Sequence, residues 1–264
     1  MPTTYLDKIL AAHRADAAAD TRPVGQLIEA ARSMPPTRGF ADAIRSTDGL
    51  AVVSEIKRRS PSKGSIKADV DPAVHARAYE TGGATCLSVL TDVEFFGGSP
   101  EDLVAARNAV SIPVLRKDFT VSPRDVCDAR LMGADAVLLI VAALDDAELA
   151  DLYSLAVEVG LDALVETHDE AEVERAVNAG ARLIGVNQRD LVTFEVDQAR
   201  AIRVAASLPP GGVWVAESGI GGPVDAAPLA RAGYHAVLVG ESLMRSGDPA
   251  TAVGELRNVG KRSA

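Results

Sequence analysis

The sequence predicts an α/β fold, namely a single (β/α)8 TIM barrel with an N-terminal helical extension. From residue 50 onward, short β-branched apolar runs alternate with Ala-rich stretches of helical periodicity. Near-continuous apolar strands separated by helices are typical of a parallel sheet buried on both faces. A succession of eight such units favours a closed barrel over an open doubly wound sheet. The eight runs are LAVVSEI, TCLSVL, IPVLRKDF, DAVLLIV, LDALVET, RLIGVNQ, VWVAESG and HAVLVG.

The elements are expected in a regular order. Residues 1–45 are predicted to be helical and then loop-like, because two segments with helical spacing precede the breaker SMPPTRG. This extension is too small to hold its own core, so we expect residues 1–264 to form one domain. Several later helices end in Gly-Ala, a pattern that stops a helix at a left-handed glycine. No G-x-G-x-x-G follows the first run, which disfavours dinucleotide binding.

Composition excludes several classes of function. The 264 residues are 47% hydrophobic, enough for the core of one barrel. A net charge of -10 argues against a general nucleic-acid surface and against binding to anionic membrane. No apolar run approaches the roughly 20 residues that span a bilayer, and the N-terminus lacks a signal peptide's apolar core. We therefore expect a cytoplasmic protein.

The cysteines and histidines give no disulfide or metal pattern. Cys86 falls in a predicted strand and Cys127 in a predicted helix, without CxxC spacing. Both are interpreted as small core residues in a reducing cytosol. The scattered histidines form no ligand motif, so we expect no metal. They are His13, His75, His168 and His235.

The end of the first run brings an acid and a base together. Within AVVSEIKRRSPSKG, residues 51–64, Glu55 and Lys57 are two positions apart, so on a strand their side chains point to the same face. If that end opens into a barrel mouth, both groups enter one pocket. An exposed ion pair would give the same pattern, but similar residues recur downstream.

Polar residues follow the other strands at their carboxyl ends, where the chemistry of such barrels lies. Any one of them could be a solvated strand end or a helix cap. Such polar residues at the same end of five strands, lysines and glutamates among them, would instead supply acids, a base and hydrogen-bonding partners to one cavity. The residues are Glu55, Lys57, Lys117, Glu166, Asn187, Arg189, Glu217 and Ser218.

The last two strands are followed by glycines. AESGIGG and VGESLM place Gly219, Gly221 and Gly240 where backbone N–H groups can approach an anion. Phosphate sites in barrels are often built from these two loops, which favours phosphate over simple tight turns.

The loop after the first run, residues 58–71, is long and basic. Its cations are expected to focus positive potential on the mouth and to steer an anionic substrate, although a solvated loop is the alternative. Gly64 suits a loop that closes over its ligand. The cations are Arg58, Arg59, Lys63 and Lys67.

In this order and spacing, EIKRRSPSKG, VLRKDF, LVETH, GVNQRDL, ESGI and VGESLM resemble the indole-3-glycerol phosphate synthase family of tryptophan biosynthesis. The resemblance runs from about residue 5 to residue 250. The helical extension also matches that family, whose members carry extra helices over the barrel mouth. The chain departs from the family at Gln188, where GVNNRDL is frequent. It departs again at Glu241, where some members have Ser, so only the backbone N–H of Glu241 is expected to serve a phosphate.

The resemblance implies ring closure of 1-(2-carboxyphenylamino)-1-deoxyribulose 5-phosphate, with loss of carbon dioxide and water and without a cofactor. Lys117 would be the acid that protonates the ketone, and Glu166 the general base. Lys57 would pair with the substrate carboxylate and later assist dehydration. Glu55 would orient the lysines through ion pairs.

The resemblance also implies three groups of substrate-binding residues. The sugar hydroxyls or the anilino region would contact Asn187 and Ser218, supported by Glu217. The phosphate would contact Arg189, Gly219 and Gly240, and Ser60 would help to close the lid. The aromatic ring would pack on Phe96 and Phe119, with Pro61 as a further candidate.

Two other functions stay open. A sugar isomerase such as phosphoribosylanthranilate isomerase would be expected to use a Cys or Asp pair at strand ends, where this chain has Lys57 and Asn187. A catalytically silent barrel that binds a phosphorylated metabolite would need only the phosphate loops. We expect a monomer that acts on a phosphorylated small molecule and binds neither nucleic acid nor membrane.

Two physical expectations follow from this reading. Repulsion between Lys57 and Lys117 should lower the pKa of at least one of them. Removal of residues 1–45 should leave a folded barrel with weakened substrate binding, because the extension is expected to lie near the mouth.

Overall fold

The computed structural model describes residues 4–61 and 64–260. Its strands are β1 (Ala51–Ile56), β2 (Arg59–Ser60), β3 (Gly64–Ser65), β4 (Cys86–Leu90), β5 (Val114–Lys117), β6 (Ala136–Ile140), β7 (Asp162–Thr167), β8 (Leu183–Asn187), β9 (Val213–Glu217) and β10 (Ala236–Val239). Eight of them form a closed parallel barrel in the order β1-β4-β5-β6-β7-β8-β9-β10, and β10 pairs with β1 to complete the ring. The short strands β2 and β3 form an antiparallel hairpin in the loop after β1.

Each of the eight apolar runs contains one barrel strand, which confirms the predicted (β/α)8 fold. Every residue of β1, β4, β6, β8, β9 and β10 is buried. Burial on both faces is what near-continuous apolar strands require, with helices outside the barrel and packed side chains inside it. The carboxyl ends of all eight strands therefore meet at one face of the molecule.

Helices surround the barrel. They are α1 (Tyr5–Ala19), α2 (Val24–Arg32), α3 (Phe40–Arg45), α4 (Pro72–Thr81), α5 (Pro100–Ala109), α6 (Pro123–Leu131), α7 (Asp146–Glu158), α8 (Glu170–Asn178), α9 (Arg200–Val204), α10 (Pro223–Arg231), α11 (Glu241–Arg245) and α12 (Pro249–Arg257). The predicted glycine stops are confirmed at Gly83, Gly133 and Gly180, whose φ angles of +89°, +89° and +92° follow α4, α6 and α8. No helix in the described ranges is long and apolar enough to cross a bilayer.

The N-terminal extension runs from one end of the barrel to the other. Helix α1 lies at the mouth, where His13 Nε2 is 2.9 Å from Asp92 Oδ2, beyond β4. Helix α2 packs on the flank against α6. Helix α3 lies at the opposite end, where Ala41 N donates to Asp162 Oδ2, at the start of β7, over 2.9 Å. The expectation of a loop near residue 45 was wrong, because residues 40–45 form this third helix.

Candidate active site

A cavity of about 480 Å³ opens at the carboxyl end of the barrel. Every residue that the sequence analysis assigned to catalysis or substrate binding lines this cavity, from Glu55 after the first run to Glu241 after the last. The agreement follows from topology, because parallel strands in a barrel bring their carboxyl ends to one rim.

The centre of the site is Lys117, at the end of β5. Its Nζ lies 2.8 Å from Glu166 Oε2 and 2.9 Å from Glu217 Oε2, on β7 and β9. Both glutamates are almost fully buried, with 2% and 1% of their surface exposed. One ammonium therefore bridges two carboxylates that would otherwise repel each other in a water-poor environment.

The pKa of Lys117 moves in the direction opposite to the one expected. Burial alone would lower this pKa, but the charges of Glu166, Glu217 and Glu55 outweigh burial and raise it well above its ordinary value. The expectation of a pKa lowered by like charge is wrong for Lys117, because its direct partners are carboxylates. The side chain stays an ammonium, the form that can donate a proton.

The two glutamates around Lys117 differ in their affinity for protons. Burial, with the charge of Glu166 adding to it, raises the pKa of Glu217 to about 7 against the pull of Lys117. Burial also disfavours the charge on Glu166, but Lys117 and His168 outweigh it and lower the pKa of Glu166. Unequal pKa values in a carboxylate pair are a recurrent means of separating acid and base roles.

The second lysine of the site, Lys57, is held by the acid that precedes it. Its Nζ lies 2.6 Å from Glu55 Oε1, so the two side chains share one face as the spacing predicted. Glu55 is buried, and its second oxygen accepts a hydrogen bond of 3.4 Å from Ser88 Oγ. A Cβ on Gly240 would overlap Glu55 Oε1, so this glycine gives the carboxylate its space.

Gly185 has an equivalent role that the sequence analysis missed. A Cβ at this position of β8 would overlap Glu217 Oε1. The missing side chain lets the Glu217 carboxylate lie against the strand and reach Lys117. A glycine within an apolar strand is the signal that could have identified it.

Asn187 connects the buried Glu166 carboxylate to the loop after β8. Its Nδ2 donates to Glu166 Oε1 over 3.1 Å, and its Oδ1 accepts from the backbone N–H of Arg189 over 3.0 Å. The Arg189 guanidinium lines the cavity and donates from Nη1 to Phe194 O over 2.9 Å. The spacing of N-x-R, with one residue between, thus places the Asn187 amide against the Glu166 carboxylate and the Arg189 guanidinium farther out.

The loop after β9 is strained at the cavity wall. Ser218 has a φ of +66°, which is rare for a residue with a Cβ and is frequently found at functional sites. The buried Gln188 side chain donates from Nε2 to Ser218 O over 2.8 Å. The residue at which this chain departs from the frequent GVNN pattern therefore supports the backbone of a cavity residue.

The glycines of the last two loops differ in what they offer an anion. The Gly221 N–H already donates to Asp225 Oδ2 over 2.8 Å. Gly219 and Gly240 line the cavity, and so does Glu241, whose side chain pairs with Arg245 at 3.3 Å. The carboxylate of Glu241 is thereby held by its own helix.

The basic loop after β1 uses two of its cations to hold itself in place. Arg58 forms an ion pair with Asp102 and donates to Val70 O over 3.2 Å, so the expectation that its charge faces the mouth was wrong. Arg59 donates to Val93 O over 2.9 Å. Lys63 lies outside the described residues. Ser60 and Pro61 line the cavity from this loop.

An aromatic wall connects the cavity to the N-terminal helix. The ring centroids of Phe96 and Phe119 are 6.1 Å apart, and His13 of α1 lies 5.4 Å from Phe119. His13, Asp92 and Asp118 offer ligand atoms that lie within 4.8 Å of one another. These residues are far apart in sequence, so no local motif indicated the group. Its carboxylates already have other partners: Asp92 also accepts from two backbone N–H groups, and Asp118 pairs with Arg116.

The floor of the cavity is apolar, and its residues were not among those predicted from the sequence. Leu138, Ile140 and Leu238 come from inward positions of β6 and β10 and line the cavity beneath the charged groups. Apolar surface beside a few polar groups is typical of small-molecule sites. Alternation along the strands is the signal that could have identified these residues.

Comparison with known proteins gives one consistent result. A family model described as indole-3-glycerol phosphate synthase matches residues 6–256. The protein of that name from Mycobacterium ulcerans is 49% identical over 261 residues, which cover 98% of this chain and 96% of that protein. Indole-3-glycerol phosphate synthase 2 from Streptomyces coelicolor is 52% identical over 232 residues, covering 88% and 90% of the two chains.

Among solved structures, thiamine phosphate pyrophosphorylase from Pyrococcus furiosus superimposes with a TM-score of 0.61. It is 18% identical in sequence, and the match covers 80% of this chain and 95% of that one. At this identity the likeness concerns the barrel fold alone.

Proposed function

The chain belongs to the indole-3-glycerol phosphate synthase family and is a carboxy-lyase, and from this premise we propose how its residues act. The substrate is 1-(2-carboxyphenylamino)-1-deoxyribulose 5-phosphate, and the product is indole-3-glycerol phosphate. The reaction forms a carbon–carbon bond, releases carbon dioxide and eliminates water. The arylamine supplies the nucleophilic carbon, so the proposal needs no cofactor.

The observation that carries the proposal is the position of Lys117 Nζ, 2.8 Å from Glu166 and 2.9 Å from Glu217 on the inner wall of the cavity. Carbon–carbon bond formation at a ketone needs an acid at the carbonyl oxygen, where negative charge develops. The raised pKa keeps Lys117 protonated across the neutral range. Lys117 is therefore the general acid of ring closure.

Ring closure comes first and decarboxylation follows it. The aromatic carbon that bears the carboxylate attacks the ketone carbon, and the carbonyl oxygen takes its proton from Lys117. The carboxylate leaves as carbon dioxide, and its bonding electrons restore the aromatic ring. Lys57, held 2.6 Å from Glu55, pairs with the carboxylate before it leaves.

Dehydration completes the indole. The new hydroxyl leaves as water with a proton from Lys57, and Glu166 removes the proton from the carbon next to the nitrogen. The lowered pKa of Glu166 keeps it ionised and able to accept that proton. Asn187 holds the other oxygen of Glu166 at 3.1 Å and fixes the direction of the carboxylate.

The rest of the cavity binds the substrate. Arg189, Gly219, Gly240 and the backbone N–H of Glu241 hold the phosphate at the loops after β8, β9 and β10. Ser218, with Glu217 behind it, contacts the sugar or the anilino region. Phe96, Phe119 and Pro61 pack on the aromatic ring, and Ser60 helps the loop after β1 to close. The enzyme acts as a monomer in the cytoplasm.

A direct assay tests the proposal. Purified protein is incubated with 1-(2-carboxyphenylamino)-1-deoxyribulose 5-phosphate, and indole fluorescence is followed over time. An increase that depends on enzyme concentration supports the proposal. Turnover of phosphoribosylanthranilate instead would support the isomerase, and binding of either compound without turnover would support a silent barrel.

A further inference from the structure

His168 lies directly behind the general base, outside the cavity that receives the substrate. It follows Glu166 by two residues at the end of β7, and its Nε2 is 3.8 Å from Glu166 Oε1. This Nε2 atom is buried and has no hydrogen-bond partner within residues 4–61 and 64–260. A buried, unpartnered nitrogen aimed at a carboxylate calls for a physical explanation.

Glu172 of α8 fixes the ring. Its Oε2 lies 2.9 Å from His168 Nδ1 and also accepts the backbone N–H of His168 over 2.7 Å. Because an ionised carboxylate only accepts hydrogen bonds, Nδ1 carries a proton. In a neutral ring, Nε2 would then turn its lone pair towards Glu166, whereas in a protonated ring an N–H would face that carboxylate. The geometry favours the protonated ring.

The charges around His168 support this state. Burial disfavours the imidazolium, but Glu172 and Glu166 outweigh burial and raise the pKa of His168, while Arg200 of α9 opposes them. A second cavity of about 370 Å³ borders His168 on the outer side of the barrel. Its other charged residues are Asp169, Glu170, Asp190 and Arg203.

We propose that His168, held by Glu172, is a positioning residue for the reaction: its imidazolium presents Nε2–H to the back of Glu166 and keeps the general base ionised. This inference rests on the proposed role of Glu166. It extends that role to two residues that do not line the substrate cavity.

The test combines kinetics with a measurement that needs no turnover. In His168→Gln, the acid limb of the pH profile of kcat/KM should move to higher pH by about one unit, because an opposite charge near Glu166 is lost. Glu172→Gln should instead lower the pKa of His168, because it removes a carboxylate that stabilises the imidazolium. Glu170→Gln, on the same helix and bordering the same outer cavity, is the matched control and should leave the profile in place.

The titration of His168 is followed by NMR of histidine ring protons, assigned among the four histidines by the spectrum of His168→Gln. His168 should titrate above its ordinary pKa of 6.5 in the wild type and at lower pH in Glu166→Gln. A His168 titration unaffected by Glu166→Gln would overturn the inference. An acid limb unmoved in His168→Gln would overturn it as well, and so would a His168 titration unmoved in Glu172→Gln. If the wild type failed to turn over the substrate, the proposed function would fall, while the NMR result would still decide whether the two side chains are coupled.

Discussion

At the level of single residues, the site holds more buried acids than bases. Glu55, Glu166 and Glu217 are nearly inaccessible, and two lysines face them. This excess explains why Lys117 has a raised pKa and why Glu217 tends to keep a proton. The carboxylates thus determine the positions of both lysines and the charge state of Lys117. The effect of each substitution depends on how it changes the ratio of buried acids to bases.

Lys117 and Arg189 should affect different kinetic constants. Lys117→Met removes the proposed general acid, which would act in the transition state, so kcat should fall by a factor of at least about 100, with little change in substrate affinity. Arg189→Ala removes the proposed contact to the remote phosphate and should mainly raise KM. Steady-state kinetics on both variants, with a binding titration of Lys117→Met, measures this difference. Normal turnover by Lys117→Met would transfer the role of acid to Lys57 or water.

Gly185 should be as necessary to the reaction as a charged residue. In Gly185→Ala, the new Cβ would overlap Glu217 Oε1 and push the carboxylate away from Lys117. We expect kcat to fall on the order of 100-fold, the effect of a small misplacement in an active site. Gly25→Ala, where a Cβ would meet nothing within 4 Å, is the control and should keep full activity. Equal rates in both variants would contradict the role given to Gly185.

Glu217 should make stability depend on pH near neutrality. Its pKa is about 7 in the folded protein, above its ordinary value of 4.5, so folding favours the protonated form. The resulting stabilisation is full below about pH 4.5 and is lost as the pH rises through about 7. In Glu217→Gln this loss should disappear. Between about pH 4.5 and 7, the free energy of unfolding of the variant should therefore increase relative to that of the wild type by up to about 1.4 kcal/mol per pH unit.

Urea unfolding of the wild type and Glu217→Gln between pH 4 and 8.5 measures this gain. Glu174→Gln, at an exposed position of α8, serves as the control for the loss of one carboxylate. Stability curves of Glu217→Gln and wild type that run parallel across the whole range would show that Glu217 does not titrate there.

At the level of elements, the three N-terminal helices serve different parts of the barrel. Helix α1 contacts the mouth through His13 and through Tyr5, whose ring lies 5.9 Å from Phe95 and 5.4 Å from Phe194. Helix α3 places the fully buried Phe40 and Ile44 beneath the opposite end. A single truncation of residues 1–45 would therefore remove two functions together.

Separate truncations should distinguish those functions. Deletion of residues 1–21 should leave a folded barrel with a raised KM, because only the contacts at the mouth are lost. Deletion of residues 1–45 should also remove Phe40, whose loss alone costs about 3–5 kcal/mol, and should strongly destabilise the protein. This revises the expectation drawn from sequence. Steady-state kinetics and urea unfolding midpoints of both truncated proteins measure these effects. An unchanged KM after the shorter deletion would show that α1 packs on the barrel without contributing to substrate binding.

The elements also explain what the sequence could and could not predict. The strands were predictable because their buried residues, such as Val52 and Leu139, belong to short apolar runs that recur along the sequence. The pocket residues followed, since Glu55 and Lys57 depend only on strand spacing and a shared rim. The pairing of Lys117 with both Glu166 and Glu217, the space left by Gly185 and the position of α3 depend on contacts between distant parts of the chain. No local pattern gives the partners in those contacts, although the glycine within β8 does mark a position where another group approaches the strand.

At the level of the whole molecule, contacts between segments that are distant in sequence connect the mouth of the barrel with its opposite end, and the first strand with the last. The extension spans from mouth to opposite end, and β10 pairs with β1. We therefore expect residues 1–264 to unfold as one cooperative unit.

Two probes test that expectation. Fluorescence of Trp214, the chain's one tryptophan, reports on β9, and far-UV circular dichroism reports on all helices. Their urea transitions should coincide, and sedimentation should give the mass of one chain. Separate transitions would indicate that the extension, or part of the barrel, folds independently.

The closure of β1 on β10 also has a consequence for how the enzyme is made. The Glu55 side chain can pack beside Gly240 only after β10, the last barrel strand, has paired with β1. A nascent chain that has left the ribosome as far as residue 230 already contains Lys57, Lys117 and Glu166, yet its sheet is still open, with β1 and β9 at its two unpaired edges. Protein synthesis proceeds at about 5–20 residues per second, so this open interval lasts only seconds. Activity should therefore arise abruptly, when β10 has left the exit tunnel and has paired with β1.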